Sequence, residues 1–365
     1  MKKLGFGCMR LKMDGDRVDY SEFGAMIRSF LDAGFCYFDT AHPYIGGQSE
    51  IALRDCLTSV YPRDSYLLTD KLSQNCIREP EDVRPFFAEQ LKCAGVEYFD
   101  YYLIHAVNRN NYDLFRHCRA FEQAMELKAE GKIRHVGFSF HDSPEFLEMV
   151  LREHPEAEVV QLQFNYLDYD DPNVASFGCY QVCEKYGKKV IVMEPVKGGS
   201  LADLPQAGRE VLDALGTGSY ASYAVRFAAS FPNVIMVLSG MSNRQQMDDN
   251  ISYMKDFVPF TTAEYEAVAK VRQIIRSIEQ IPCTACKYCV GGCPQAIPIP
   301  EVFSVFNRSR RYAGMDAAGE YRQKVTGLGR AGDCIRCGKC EKVCPQHLPI
   351  RELLARCAGE LESDQ

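Results

Sequence analysis

Two cysteine runs constrain this chain more than any other feature: CTACKYCVGGCP from Cys283 and CIRCGKCEKVCP from Cys334. Both read C-x2-C-x2-C-x3-C-P, the spacing that wraps thiolates around a [4Fe–4S] cube. Three sulfurs at i, i+3 and i+6 on a tightly turning loop reach three corners of one cube, and the proline ends the loop where a helix begins. Zinc knots are the alternative, because soft thiolates select zinc and iron–sulfur clusters alike. Zinc sites usually come as two separated C-x2-C halves, often with histidine ligands; here four cysteines crowd into one stretch, and this happens twice. Disulfides fit less well. MKKLGFGCMRLKMDGDR has only a short apolar stretch before Arg10, too short for a signal sequence, so the cysteines are expected in a reducing cytoplasm.

At 365 residues the chain accommodates one large domain and one small one. A net charge of −7 with mixed signs argues against nucleic acid as a partner. No apolar run approaches the ~20 residues of a membrane span, so no membrane is expected. Cysteines outside the two runs, such as Cys36, Cys56, Cys93 and Cys179, lie singly in apolar or helical surroundings and read as core filler.

Short apolar runs alternate with amphipathic stretches of about 10–15 residues, the rhythm of βαβ units on a parallel sheet. The runs are LGFGC from Leu4, FCYFD from Phe35, YLLTD from Tyr66, YYLIH from Tyr101, IRHVGF from Ile133, VVQLQF from Val159, KVIVME from Lys189 and VIMVLS from Val234. Helical patterns lie between them, among them EDVRPFFAEQLKCAG and LFRHCRAFEQAMELKAEG, both ending in the Gly expected of a helix C-cap. Eight strands with interleaved helices over about 250 residues match a (β/α)8 barrel; a doubly wound open sheet is the rival.

Near Ile281-Pro282 a helical run from Thr261 to Glu279 gives way to cysteine, proline and glycine. The expected division is therefore a barrel over 1–280, a small iron–sulfur domain over 281–357 and a tail over 358–365. A domain below ~80 residues usually needs staples, and two clusters would supply them. In two-cluster ferredoxins the fourth cysteine of each run ligates the other cube. If it does so here, one cluster takes Cys283, Cys286, Cys289 and Cys344, and the other takes Cys334, Cys337, Cys340 and Cys293. The segment EVFSVFNRSRRYAGMDAAGEYRQK between the runs reads as helical, with a basic knot at Arg308, Arg310 and Arg311. That knot is a solvated face or, in the minority reading, a contact for an anionic partner.

Barrel chemistry comes from the C-terminal ends of the strands. Those ends carry Asp39, with Tyr44 five residues on in DTAHPYIGGQSE, then Lys71 after YLLTD and His105 closing YYLIH. Each has an ordinary explanation alone: a turn cap, a common aromatic, a surface charge, a hydrogen-bonded core histidine. Together they form an acid–base set. Asp39 can hold Lys71 charged, and a buried cation beside a phenol is expected to lower the phenol pKa from about 10 toward neutrality. Tyr44 is then a proton donor, with His105 orienting a substrate carbonyl or tuning the phenol.

In the contexts FDTAHPY, LLTDK and DYYLIH this tetrad resembles that of the aldo/keto reductases, and the C-terminal runs resemble their branch with a ferredoxin-type domain. The resemblance covers essentially the whole chain. It implies NADP(H) or NAD(H) bound across the barrel mouth without a glycine-rich Rossmann turn, and reduction of a small-molecule carbonyl, or oxidation of an alcohol, with Tyr44 as the acid. Ser139 and Gln161 match the positions that hold the carboxamide, but Phe140 stands where the family usually has Asn. Pro195, Lys197 and Gly198 lie where the pyrophosphate passes; Met193 and Glu194 occupy the neighbourhood of the usual stacking aromatic. Gly240, Ser242, Arg244, Gln246, Asp249 and Asn250 match the adenosine end. The 2′-phosphate clamp of other branches is missing, leaving Arg244 as the nearby cation.

Hydride transfer moves two electrons at once, whereas a [4Fe–4S] cube passes one. A flavin would normally convert between them, and no residue signature demands one. Three readings follow: a carbonyl reductase with a cluster-stapled small domain; an electron-transfer enzyme drawing on a ferredoxin or flavoprotein; and a nucleotide-binding redox sensor, against which the complete tetrad weighs.

Overall fold

A computed structural model describes residues 2–362 apart from 172, 173, 217 and 313. The chain separates into two compact units, one comprising Met1–Pro195 and Ala221–Thr261, the other Val196–Tyr220 and Thr262–Gln365.

The first unit is a closed parallel barrel. Its strands are β1 (Leu4–Gly7), β2 (Tyr37–Asp39), β3 (Leu67–Leu72), β4 (Phe99–Val107), β5 (Ile133–Phe140), β6 (Val159–Gln163), β7 (Lys189–Met193) and β8 (Val234–Ser239). Each falls on one of the apolar runs read from the sequence. Closure comes from β1, which pairs with β8 on one side and β2 on the other. The open-sheet rival is excluded. Inside, Tyr37, Leu103, Val159, Ile191, Met236 and Leu238 pack as a buried cluster drawn from five strands, so the barrel centre is a core and not a pore. Gly137 on β5 is obligatory for this closeness: a Cβ there would lie 2.2 Å from the Val159 carbonyl oxygen.

Outer helices turn apolar stripes inward. On Tyr20–Asp32, capped by the Asp19 carboxylate, the buried residues are Phe23, Met26, Ile27 and Phe30, the spacing of one helical face. Gly95 ends the helix Val83–Ala94 in a left-handed conformation, as its sequence led one to expect. The single helix read across LFRHCRAFEQAMELKAEG is instead two, Tyr112–His117 and Ala120–Ala129, broken where Arg119 takes φ 50°. A short ribbon, Met13–Asp14 with Arg17–Val18, has no strong apolar alternation and escaped the sequence reading.

The second unit contains the helices Gln206–Asp213, Thr262–Ser277, Ile299–Arg311, Ala317–Lys324 and Ile350–Leu361. Its core gathers Ile297, Ile299, Val302, Phe303, Phe306 and Leu354 with Cys289 and Cys340 of the two cysteine runs. The two cysteine loops are repeats of one another. Each continues as C-P-Q into a helix, beginning at Ile299 in one case and Ile350 in the other. Ala285 and Lys287 have positive φ in the first loop, Arg336 and Gly338 at the matching places in the second. The basic knot is internally neutralised: Arg308 bonds Glu320, Arg310 bonds Glu360, and Arg311 bonds Gln280 and the Asp203 carbonyl. Among the described residues no helix is long and apolar enough to cross a membrane.

Candidate functional site

The ends of β2 and β3, with the turn after β2, assemble the centre of the site. Lys71 Nζ donates to Asp39 Oδ1 at 2.6 Å, to the Thr40 carbonyl at 2.6 Å and to the Tyr44 hydroxyl at 3.3 Å. Lys71 is fully buried, and a cation there persists only when paired and hydrogen-bonded. Asp39 is held in turn by Gln161, whose Nε2 donates to Oδ2 at 3.0 Å. The turn carrying Tyr44 bends sharply through Ile45 and Gly46, both left-handed, which returns the phenol over the barrel end. His105, from β4, presents its ring to that of Tyr44 edge-on at 5.9 Å.

Electrostatics correct one sequence expectation. Burial pushes the Tyr44 phenol well above its ordinary value of 10, the Asp39 charge adds to the rise, and Arg10 opposes it. The Lys71 ammonium is shared with two closer oxygens, and whatever it lends to a phenolate does not outweigh burial. Tyr44 therefore carries its proton throughout the neutral range. Burial, Lys71 and His141 together hold His105 well below its ordinary 6.5, so its imidazole is neutral. Asp39→Asn would leave Lys71 buried without its counter-charge; the expected cost is about 3–5 kcal/mol, read as a lowered denaturation midpoint.

Sequence reading missed the groups that hold this set in place. Ser73 Oγ lies 2.7 Å from His105 Nδ1; its place just past the end of β3, two residues after Lys71, was the available signal. Behind Lys71, Glu50 and Asp70 are both fully buried. Asp70 Oδ1 accepts the Lys71 backbone N–H at 2.8 Å. Burial and then the Glu50 charge push the Asp70 carboxyl well above its ordinary range. His42 Nδ1 lies 2.8 Å from Glu50 Oε2, and Gln90 donates to the Lys71 carbonyl at 3.0 Å. Arg10 and Glu194 form an ion pair at 2.7 Å where the resemblance suggested an aromatic ring.

The nucleotide positions are unevenly placed. Ser139, near the end of β5, and Gln161, in the middle of β6, are buried, and Ser139 Oγ accepts from Ala106 N at 2.6 Å. Pro195 closes a segment of the first unit, while Lys197 and Gly198 belong to the second. After β8, Gly240 leads into a helix, Arg244–Met254, whose N-cap is Asn243. Ser242 N donates to Gln246 Oε1 at 2.8 Å, and Arg244 N donates to Glu22 Oε1 at 2.9 Å. Asp249 and Asn250 lie on the same helix. Asn250 Nδ2 donates to the Gln246 carbonyl, but its Oδ1 is buried without a hydrogen-bond partner among the described residues.

In the second unit the cysteines fall into two sets. Burial raises the Cys283 and Cys289 thiols, and the neighbouring Cys286 and Cys344 add to both rises. A cavity is lined by Cys293 together with Cys334, Cys337 and Cys340. Each set thus combines three cysteines of one run with the last of the other. Among the described residues no three His, Cys, Asp or Glu side chains converge closely enough to hold a single ion; the cavity at the second run is the feature with room for a larger group.

A closed (β/α)8 barrel joined to a module of this kind defines an oxidoreductase with an iron–sulfur-type domain. Residues 3–273 match the aldo/keto reductase family, to which the chain belongs, and residues 282–348 match the 4Fe-4S dicluster domain. Relatives include a probable aldo-keto reductase of Glycine max, 24% identical over 67% of this chain and 70% of that protein. An uncharacterized oxidoreductase of Schizosaccharomyces pombe is 25% identical over 69% and 81% respectively. Among solved structures, an aldo-keto reductase from Klebsiella pneumoniae in complex with NADPH superposes with a TM-score of 0.60 at 18% identity, covering 74% of this chain and 90% of its own. One from Bacillus halodurans gives 0.58 at 23% identity, with 74% and 91% covered.

Proposed function

We propose that the protein reduces a small-molecule carbonyl, or oxidises the corresponding alcohol, with NADP(H) or NAD(H), and that Tyr44 is the proton donor. The contacts from Asp39 through Lys71 to Tyr44 carry this reading. The nucleotide, when bound, supplies a hydride to the carbonyl carbon. The chain's own part is the proton: Tyr44 passes its hydroxyl proton to the carbonyl oxygen, and Lys71, fixed by Asp39 and the Thr40 carbonyl, stabilises the phenolate left behind. Neutral His105, braced by Ser73, orients the oxygen. Ser139 and Gln161 hold the carboxamide, and Asn250 Oδ1, without a hydrogen-bond partner among the described residues, accepts from an adenine amine. Phe140 and Glu194 depart from the family pattern, which leaves the nicotinamide end less completely furnished than the adenosine end.

The cysteine sets support two [4Fe–4S] clusters with crossed ligation, Cys283, Cys286, Cys289 and Cys344 for one and Cys334, Cys337, Cys340 and Cys293 for the other. We assign the barrel to 1–280 and the cluster domain to 281–357, with 358–365 as a tail, in a reducing cytoplasm. A second reading, in which the clusters carry electrons from a ferredoxin or flavoprotein, is favoured by one observation: Cys337 is exposed, bringing one cube edge to the surface. Anaerobic addition of NADPH, then NADH, to the cluster-loaded protein tests both. Nicotinamide oxidation on adding carbonyls, with cluster absorbance and paramagnetic resonance silent, is the expected result for the reductase. Cluster reduction by the nucleotide would put the cubes on the electron path.

A further inference from the structure

The twin cysteine loops of the second unit provide an internal control on what a cube requires of its surroundings. Aligning Cys283 with Cys334, the first loop has Thr284, Ala285, Tyr288 and Gly291 where the second has Ile335, Arg336, Lys339 and Lys342. The backbone is the same, with left-handed residues at matching places; the surface chemistry is not. Thr284 is 2% exposed, and the 197–199 turn lies so close over it that a Cβ on Gly198 would come 2.4 Å from its carbonyl oxygen. Ile335 at the equivalent place is 58% exposed and Val343 is 40% exposed. The first loop's only cation, Lys287, is paired with Glu301 at 3.3 Å. In the second loop Glu341 is taken by Arg351 at 2.7 Å, and Arg336, Lys339 and Lys342 are exposed and enter no ion pair among the described residues.

A basic rim that merely balanced the negative charge of a thiolate-ligated cube would be needed equally at both loops. It is present at one. That loop also contains Cys337, the exposed cysteine of the chain, and the chain as a whole carries −7, so the rim runs against the overall charge. An apolar centre ringed by unpaired cations, over the edge of a redox centre, is the complement of an acidic protein surface with an apolar middle.

We propose that the loop Cys334–Cys344 is the docking face for an acidic one-electron carrier protein, with Ile335 and Val343 as the apolar centre and Arg336, Lys339 and Lys342 as the charged rim. The proposal rests on the two-cluster reading. In the transfer no bond forms or breaks: the reduced carrier loses one electron, and the cube held by Cys293, Cys334, Cys337 and Cys340 gains it. The first cysteine loop, covered at Thr284, is not a second entry.

An acidic flavodoxin serves as the probe. Its affinity for the cluster-loaded protein is measured by calorimetry with the flavin oxidised, at low and at physiological salt, and its rate of cluster reduction is followed with the flavin fully reduced. Binding is expected to weaken about tenfold as salt rises, because exposed charges are screened. The variant Lys339→Glu/Lys342→Glu is expected to bind about tenfold more weakly still and to lose most of the salt dependence; Lys339→Gln/Lys342→Gln falls between. Ile335→Ser weakens binding with the salt dependence kept. Lys255→Glu, on the barrel, changes nothing. Iron content and cluster absorbance are recorded for every variant. Wild-type protein that takes up no iron–sulfur cluster overturns the cluster reading itself. Full clusters with no flavodoxin binding, or with binding indifferent to both lysine variants, overturn the docking face alone. So does equal binding to a DNA oligonucleotide, which would mark the rim as a general anion surface.

Discussion

Tyr44→Phe lowers carbonyl reduction by about 10²–10⁴-fold, the range for losing a positioned general acid, while the fold and the clusters persist. The phenol contributes one hydroxyl, at 3.3 Å from Lys71 Nζ, and the ring itself remains in place, so packing is unchanged. Steady-state rates with a panel of small aldehydes, alongside circular dichroism and iron analysis, make the measurement. Unchanged rates would remove Tyr44 as the acid. The pH profile is a second check on the same residue. Because burial and Asp39 hold the phenol well above 10, the wild-type rate has no limb falling with rising pH across the neutral range from loss of the Tyr44 proton. A rate that fell between pH 7 and 9 and became flat in Tyr44→Phe would instead mean that the phenol ionises there.

The second large effect concerns the cysteines, and a pair of double variants decides the crossed ligation. With two cubes of four irons each, the reconstituted wild type holds about eight irons per chain. Cys286→Ala and Cys344→Ala each reduce this to about four, and combining them leaves about four, because both residues serve the same cube. Cys344→Ala with Cys337→Ala removes both cubes and leaves almost none. Uncrossed ligation predicts the reverse pattern for the two combinations. Such non-additivity is how residues acting on one unit announce themselves. Loss of the cube in the cavity lined by Cys293, Cys334, Cys337 and Cys340 also removes a staple from a small core, so the double variant without clusters is expected to lose solubility as well.

The ion pair at the barrel mouth bears on both readings of the function. Glu194, forced into φ 54°, pairs with Arg10 at 2.7 Å beside the phenol. Non-glycine residues held at positive φ cost energy and persist where the surroundings over-determine them. Here the Glu194 carbonyl accepts from Asn165 and its carboxylate from Arg10, which fixes both ends of the residue.

The eight strands were legible because each is an apolar run bounded by turn residues, and strand identity is a local property of the chain. The tetrad was legible for a related reason: Asp39, Lys71 and His105 each lie at or next to the end of a recognisable run, and a parallel barrel places all such ends on one face. The candidate ligand cysteines were legible because the spacing that suits three corners of one cube lies within a single loop. Other features depend on elements distant in sequence. The direction of the Tyr44 shift is set first by burial, and spacing alone does not measure desolvation. Ser73 beneath His105, Glu50 against Asp70 and Arg10 against Glu194 join residues 32, 20 and 184 positions apart, so no window of sequence contains both partners. The sequence by itself determined where the strands and the cysteine runs lie and which residues resemble the family tetrad; only the tertiary structure decided the surroundings that set their protonation, their supports and which cysteine loop faces outward, because burial and charge act through space.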